Sequence, residues 1–194
     1  MLFASIPLIF CVQQITEGFL WLALSKPAYA FLLQFTTYTF LFFAQVVWPC
    51  CVPLAILLLE KKEKRKKIQK IFVSIGVLVS LYLGFCLLSY PVEARIIGYH
   101  ISYGLDFPAA LSNYGGGLYI IATIAPAFFS HIKRMWWLGL AILISYIMTT
   151  LFYTDYIVSV WCFFASVISI AVFAIICEIN KKPAVSISLD LQSA

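Results

Sequence analysis

The residues best suited to chemistry lie in the first apolar segment of the chain. Glu17 is the only ionisable residue placed well inside a predicted membrane-spanning segment. A carboxylate at membrane depth is costly, so it usually faces the interior of a helix bundle and has a functional purpose. Glu17 is therefore the leading candidate for a residue that handles a proton or a small solute, or that acts as an acid or base.

Polar residues of the next apolar segment are predicted to meet Glu17. Glu17 lies seven residues before the end of its segment, and Gln34 lies six residues into the second, which places both about 10 Å from the same end. A short turn makes the two segments an antiparallel hairpin, with Gln13 and Tyr38 about one turn deeper, and helical spacing puts Gln34, Tyr38 and Gln45 on one face. This polar ladder is either a binding site or a set of interhelical hydrogen bonds worth about 0.6 kcal/mol each.

The elements that must position these residues are membrane-spanning helices. Of the 194 residues, 63% are hydrophobic and 11% are charged, and the mean hydropathy is +1.00, which is too apolar for a water-soluble domain. A helix needs about 20 apolar residues to cross the hydrocarbon core of a bilayer. The sequence predicts an all-α integral membrane protein, a single bundle of about six helices over residues 1–179 with a polar tail at 180–194.

Six apolar runs are predicted as the spans. They cover residues 3–24, 28–59, 71–90, 114–130, 135–153 and 157–179. The second run would be about 48 Å long as one helix. It must therefore tilt, protrude, or bend at Pro49 and Pro53.

Basic residues set the predicted orientation. Eleven of the thirteen Lys and Arg residues fall on one side of the membrane, leaving Lys26 and Arg95 on the other. The eleven are Lys61, Lys62, Lys64, Arg65, Lys66, Lys67, Lys70, Lys133, Arg134, Lys181 and Lys182. The positive-inside rule then predicts that both termini and the main basic loop are cytoplasmic, in a multi-pass protein of the inner (plasma) membrane.

The net charge of +5 follows from this topology and does not indicate nucleic-acid binding. The run Lys61–Lys67 could attract anionic lipid headgroups by about 1 kcal/mol per basic residue, or it could serve only to set the orientation. The lipid bilayer is thus the partner that the sequence predicts. The oligomeric state is left open.

The loop between the third and fourth spans carries an extended pattern. From Tyr99 to Phe107, apolar and aromatic residues alternate with polar or small ones, including His100. A period of two is typical of a strand with one apolar face. The segment is either a lid over the mouth of the bundle or a surface loop packed by its own aromatic side chains.

No metal site is predicted, any cofactor is left open, and some of Glu17, His100, Asp106 and Asp155, which lie toward the same outer side, are the remaining alternative for a combined site. His100 and His131 lie on opposite sides of the membrane, so a core of about 30 Å separates them. The six cysteines form no Cys-x-x-Cys pair and lie within predicted helices. They are interpreted as buried thiols that behave as small hydrophobic groups.

Small residues indicate where helices pack. In the third span, Gly76, Ser80 and Gly84 repeat every four residues and form a smooth stripe, which predicts close helix packing. The last span has a comparable narrow face that contains Ser159 and Cys162. It is read as a helix contact and not as a reactive serine, because no histidine and acid accompany it in sequence.

Five stretches are distinctive as a set. They are Ile6–Phe10, Gln13–Gly18, Phe43–Pro49 with Glu60, Tyr99–His100 and Ser159–Ala165. Together they resemble an uncharacterised family of bacterial multi-spanning membrane proteins, over nearly the whole chain. The resemblance implies no activity, because that family is described only as a domain of unknown function. It also implies a seventh helix in full-length relatives, with this chain starting at what would be their second.

Three classes of function follow from these patterns. The first is a protein that handles a small solute or protons through an outward-facing site formed by Glu17, Gln13, Gln34 and Tyr38, beneath the loop with His100. The second is a membrane-embedded enzyme acting on a lipid or lipophilic substrate, with Glu17 assisted by His100 or Asp155. The third is a non-catalytic subunit or sensor that binds a partner through the Gly76 face. No residue is assigned a catalytic role.

Overall fold

Six helices make up most of the chain. The computed structural model describes residues 2–192, with side chains described except at 109–115, 174 and 177–192. The helices are α1 (Leu2–Ser25), α2 (Pro27–Leu59), α3 (Glu63–Ser89), α4 (Ala109–Phe128), α5 (Lys133–Phe152) and α6 (Ile157–Gln192). Two strands, β1 (Val92–Ile97) and β2 (His100–Leu105), lie between α3 and α4.

Five helical segments in the described part of the chain are long and apolar enough to cross a membrane. They are α1, α2, α3, α5 and the stretch Thr154–Phe173, while α4 contributes the shorter apolar stretch Gly116–Phe128. The prediction of an all-α bundle of about six helices is confirmed.

The helix ends differ from the predicted ones. Strong helix formers in the basic run start α3 at Glu63 instead of 71, and α4 starts at Ala109 instead of 114. The predicted tail, 180–194, continues α6 as far as Gln192.

The helices pack in chain order into a closed ring. Each helix contacts the next, α6 returns to α1, and α2 also contacts α4 across the ring. The starts of α3 and α5 lie at one end, called here the basic end because it carries Lys61–Lys70 and Lys133–Arg134. The strands lie at the opposite, hairpin end.

Helix α2 changes its winding along its length. It runs as a 3₁₀-helix over Pro27–Leu32, an α-helix over Leu33–Leu41, a π-helix over Phe42–Val47 and an α-helix over Trp48–Leu59. At the end of the π segment, the Trp48 N–H bonds to the Phe43 carbonyl. The next carbonyl, that of Ala44, would pair with residue 49, a proline without an N–H. The Tyr119 hydroxyl donates to it instead, at 2.6 Å.

The small-residue stripe of α3 packs on this part of α2. In an α-helix the Pro49 carbonyl would bond to the N–H of residue 53, but residue 53 is a proline and has none. Gly76 packs directly against this free carbonyl. A Cβ added at Gly76 would lie 2.0 Å from the Pro49 oxygen. One turn on, the Ser80 hydroxyl donates to the Val46 carbonyl at 2.7 Å. The predicted packing face is confirmed, and it is occupied inside the bundle, so it is not free to bind a partner subunit.

The two strands form an antiparallel hairpin. Val92 pairs with Leu105 and Ile97 pairs with His100, and Gly98 supplies the positive φ of 62° that the turn requires. The predicted strand is confirmed over His100–Leu105, but its partner β1 was not predicted. The Ser102 hydroxyl donates to the Asp155 carbonyl at 3.0 Å, which fixes the hairpin to the turn between α5 and α6.

Candidate functional site

Gln13 joins three helices at the centre of the bundle. Its side chain is fully buried. The Trp48 indole N–H of α2 donates to Oε1 at 2.7 Å, and Nε2 donates to the Cys162 sulfur of α6 at 3.3 Å. Phe10 stacks on Trp48 with ring centroids 3.8 Å apart, which fixes the indole. The amide is therefore bonded at both ends and holds α1, α2 and α6 together.

Glu17 lies one turn further along α1, towards the hairpin end. It is only 7% exposed. The Tyr103 hydroxyl donates to its Oε1 at 3.5 Å, and the side chains of Ser159 and Gln14 lie beside the carboxylate. The buried Nε2 donor of Gln14 faces this carboxylate without a well-aligned hydrogen bond. Among the described residues, Glu17 forms no ion pair, so its carboxylate is surrounded by neutral groups.

Tyr103 is the hairpin residue that contacts Glu17. Its ring stacks on Phe40 of α2, with centroids 5.2 Å apart and ring planes 4° apart. Burial and the adjacent Glu17 carboxylate raise the pKa of Tyr103 well above its usual range. The hydroxyl therefore stays protonated and remains a donor towards Glu17.

Two predicted site residues lie elsewhere. Gln34 is exposed and Tyr38 is half-buried, and both line a separate shallow depression with Phe42. Over the described side chains, neither forms a hydrogen bond to Gln13 or Glu17, and their part in a binding site stays a prediction. The 3₁₀ start of α2, with about 3.0 residues per turn instead of about 3.6, rotates the helix face relative to the predicted one. The π segment then separates buried Gln45 from the face of Gln34.

His100 packs on the turn between α5 and α6. Its ring packs against Tyr153 and Tyr156, with centroids 5.2 Å and 5.0 Å away. Asp155 contributes its backbone carbonyl to the hairpin. The enzyme hypothesis needs His100 or Asp155 beside Glu17 as an acid or base. These contacts do not place either residue there.

The polar cluster consists of Gln13, Glu17 and the side chains around them, and five of its residues were not predicted as site residues: Gln14, Trp48, Tyr103, Ser159 and Cys162. Tyr103 lies on the apolar face of the alternating segment, and Ser159 and Cys162 lie on the small-residue face of α6. These patterns indicated burial but not contact with α1. The contact between α6 and α1 brings Ser159 and Cys162 to this place, and the hairpin brings Tyr103.

A cavity of about 390 Å³ lies next to this cluster, towards the hairpin end. It is lined by Gln45, Tyr82, Tyr146, Trp161 and others, and Cys162 forms part of its wall. Because Gln13 donates to Cys162, the cavity adjoins the polar cluster.

A smaller apolar cavity of about 80 Å³ extends the interior space towards the basic end. Phe3, Ile56 and Val172 belong to its lining. Tyr119, Trp161 and Cys162 line both cavities, so these three side chains form the boundary between them.

Possible metal ligands are dispersed. Within the described residues, no group of three or more His, Cys, Asp or Glu side chains is placed to hold a metal ion. Cys11, Cys50, Cys51, Cys86 and Cys162 are free thiols. The chemistry of the cluster is thus that of a carboxylate, amides and hydroxyls.

Comparison with known proteins gives the family. The sequence model of DUF6629, described as a family of unknown function, matches residues 1–187. The chain belongs to the DUF6629 family. No curated protein and no solved structure matches it. Membership in DUF6629 agrees with the resemblance to an uncharacterised family, and it supplies no activity.

At the basic end of this DUF6629 chain, Glu60 joins two loops. Its side chain is fully buried, with Oε1 2.7 Å from the His131 Nδ1. Glu60 also accepts hydrogen bonds from the backbone N–H groups of Lys62, at 3.2 Å, and His131, at 3.0 Å. Burial alone would raise the pKa of Glu60, but these hydrogen bonds and the His131 ring outweigh it and hold the pKa below its ordinary value.

Arg65 strengthens the same junction. Its guanidinium donates to the carbonyls of Phe129 and Ser130 at 2.9 Å and 2.6 Å, where the end of α4 leaves carbonyls without helical partners. In addition, the Gln69 amide donates to the Pro126 carbonyl at 2.9 Å. The start of α3 is therefore fastened to the end of α4 by directional bonds.

Proposed function

We propose that this chain is a multi-pass membrane protein that binds a small solute, or exchanges protons, at Glu17 beneath the hairpin. The observation that carries the proposal is a buried carboxylate whose neighbours are all neutral. A charge taken out of water needs a compensating partner. A proton, or a solute that carries a cationic or hydrogen-donating group, would supply it.

The Gln14 amide supports this proposal. It lies beside the Glu17 carboxylate without a well-aligned hydrogen bond in the described structure, so an acceptor and a donor are present at the same place. Such a pair can bind a solute that both donates and accepts hydrogen bonds. Tyr103 reaches the carboxylate from the hairpin, so displacing the hairpin would open the site to the hairpin end.

Glu17→Gln is expected to abolish the activity of the site while keeping its shape. With the protein in proteoliposomes under a pH gradient, we expect proton uptake, followed by an enclosed pH-sensitive dye, to fall at least tenfold. If a solute is the ligand, native mass spectrometry of gently purified protein should detect it in the wild type and not in the variant.

The matched control is Glu93→Gln. Glu93 is an exposed carboxylate of the hairpin that pairs with Arg95, so its loss should leave uptake and bound ligand unchanged. Uptake and ligand content that stay at wild-type levels in Glu17→Gln would contradict the proposal.

We also propose that the basic end faces the cytoplasm, in the plasma membrane, with both termini on that side. Basic residues at the starts of α3 and α5 share this end, while Arg95 lies on the hairpin. The positive-inside rule favours this orientation.

Cysteine labelling tests the orientation. Tyr99 at the hairpin turn is 91% exposed, so Tyr99→Cys should react with a membrane-impermeant maleimide in intact cells. Lys62→Cys, exposed at the basic end, should react only after permeabilisation. The unsubstituted protein gives the background from native thiols, and the reverse labelling pattern would show the opposite orientation.

We further propose that the basic end contacts anionic lipid headgroups. Within Lys61–Lys67, Lys66 pairs with Glu63 at 2.7 Å and Arg65 is bonded to backbone carbonyls. The exposed Lys61, Lys62, Lys64 and Lys67 are then the residues that would meet headgroups. Attraction of about 1 kcal/mol per lysine would fall as salt is added.

A further inference from the structure

The larger cavity contains an unusual buried amide. Gln45 lies in the π segment of α2 and is only 6% exposed. Its Oε1 acceptor has no hydrogen-bond partner among the described residues, although it lines a cavity of about 390 Å³. A buried acceptor left unpaired is destabilising, so an occupant of the cavity is the natural partner.

Two further polar atoms share this situation. They are the Trp161 indole Nε1 and the Tyr82 hydroxyl. Both residues line the same cavity, and both atoms are buried without a well-aligned hydrogen bond to the described residues. Tyr82 has the Cys86 thiol beside it, which is a weak acceptor. The Trp161 ring is held edge-on by Tyr119 and Tyr146, with centroids 5.7 Å and 5.1 Å away.

These atoms define the chemistry of an occupant. Gln45 Oε1 needs a donor and Trp161 Nε1 needs an acceptor, and a hydroxyl group carries one of each. The described lining contains no Asp, Glu, Lys, Arg or His, so a charged group in the cavity would lack a counter-charge. The cavity therefore favours a neutral polar group.

The adjoining apolar cavity defines the rest of the molecule. It begins at the shared boundary of Tyr119, Trp161 and Cys162 and is lined mainly by aliphatic and aromatic side chains from Phe3 to Val172. An apolar chain attached to a group beside Trp161 can extend past this boundary towards the basic end.

We propose that these two cavities form one site for a neutral, hydroxyl-bearing amphiphile, with its hydroxyl between Gln45 and Trp161 and its apolar chain directed into the smaller cavity. This inference rests on the proposed function, since it names the class of small molecule that the bundle takes. Because Cys162 joins the cavity wall to Gln13, the occupant lies within two contacts of the α1 polar cluster.

Tryptophan quenching in nanodiscs tests the ligand class. The probes are three brominated eleven-carbon chains that differ only in the headgroup: 11-bromoundecanol, 11-bromoundecanoate and 11-bromoundecyltrimethylammonium. We expect a saturable quenching component for the alcohol, at least tenfold tighter than for either charged probe. Equal affinities for the three probes, or preference for the ammonium ion, would overturn the proposal.

Variants locate the bound alcohol. Gln45→Leu should weaken saturable quenching at least tenfold. Trp136→Phe is the matched control, because Trp136 is 47% exposed on the outer surface and its loss should remove only non-saturable quenching. Trp161→Phe keeps an aromatic ring but removes the donor, and native mass spectrometry should find the alcohol retained on the wild type and lost from this variant.

The outcomes separate this inference from the proposed function. Saturable alcohol binding that is unchanged in Gln45→Leu and Trp161→Phe would overturn the site. Absence of alcohol binding, together with uptake or ligand binding that still depends on Glu17, would overturn this inference and leave the proposed function standing. A melting temperature near that of the wild type confirms that each variant is folded.

Discussion

Replacing Gly76 with alanine is expected to destabilise the bundle by about 3 kcal/mol, the upper part of the range for overpacked interiors. The added Cβ would lie 2.0 Å from the Pro49 oxygen and 2.9 Å from its carbon. These are backbone atoms, which cannot move away by a change of rotamer. To admit the methyl group, α3 must shift from α2, which also lengthens the bond from Ser80 to Val46.

Gly84→Ala is the matched control on the same face of α3. Its Cβ would lie 3.4 Å from a methyl group of Val46, an ordinary contact, and alanine favours the helix by about 1 kcal/mol over glycine. Unfolding in detergent with increasing SDS should therefore separate the two variants, with Gly76→Ala unfolding at a lower SDS fraction. Equal midpoints would mean that α2 and α3 do not pack closely at Gly76.

Glu60→Ala is expected to cost about 3 kcal/mol. The substitution removes the acceptor of the Lys62 and His131 backbone N–H groups, and hydrogen bonds to a charged group are worth about 1.5–3 kcal/mol each, less than additively. Glu60→Gln keeps an acceptor and should lose less. The free energy of unfolding of each variant, measured by the same SDS titration at pH 7, gives the comparison.

The stabilisation by Glu60 depends on pH. Its pKa is lower in the folded protein than the value of about 4.3 for an unperturbed glutamate. The stabilisation is therefore fully present above that value and is lost as the pH falls through the folded pKa. The stability of the wild type should approach that of Glu60→Gln below about pH 4.

Glu63→Gln is the control for this pH effect. Glu63 lies at the same end, and its carboxyl group is exposed and paired only with Lys66, so its loss should change stability little. A difference between the wild type and Glu60→Gln that stays constant down to pH 3 would contradict the assigned role of Glu60.

The sequence was sufficient to predict the helices and the buried carboxylate Glu17. Long apolar runs predict membrane-spanning helices because the required length is fixed by the bilayer. The cost of burying a charge was enough to single out Glu17, and the spacing of Gly76, Ser80 and Gly84 was enough to predict a packing face. These inferences need only local composition and regular α-helical periodicity.

The partners of Glu17 could not be predicted in the same way. The ladder with Gln34 and Tyr38 assumed one regular helix from residue 28, whereas α2 passes through 3₁₀ and π segments that change which residues face α1. Tyr103 and Ser159 come from distant parts of the chain, and nothing in their local pattern specifies contact with α1. The junction at Glu60 was missed because a carboxylate beside a basic run resembles an ordinary solvated loop.

The closure of the ring between α1 and α6 has a consequence for biogenesis. Gln13 and Cys162 are separated by 149 positions, and Ser159 reaches Glu17 from the same last helix. In the proposed membrane-spanning arrangement, α1 is synthesised before α6, so its amide and carboxylate lack these partners in the lipid interior until the last helix is added, which is costly. Addition of α6 then supplies the Cys162 acceptor of Gln13 and the Ser159 neighbour of Glu17.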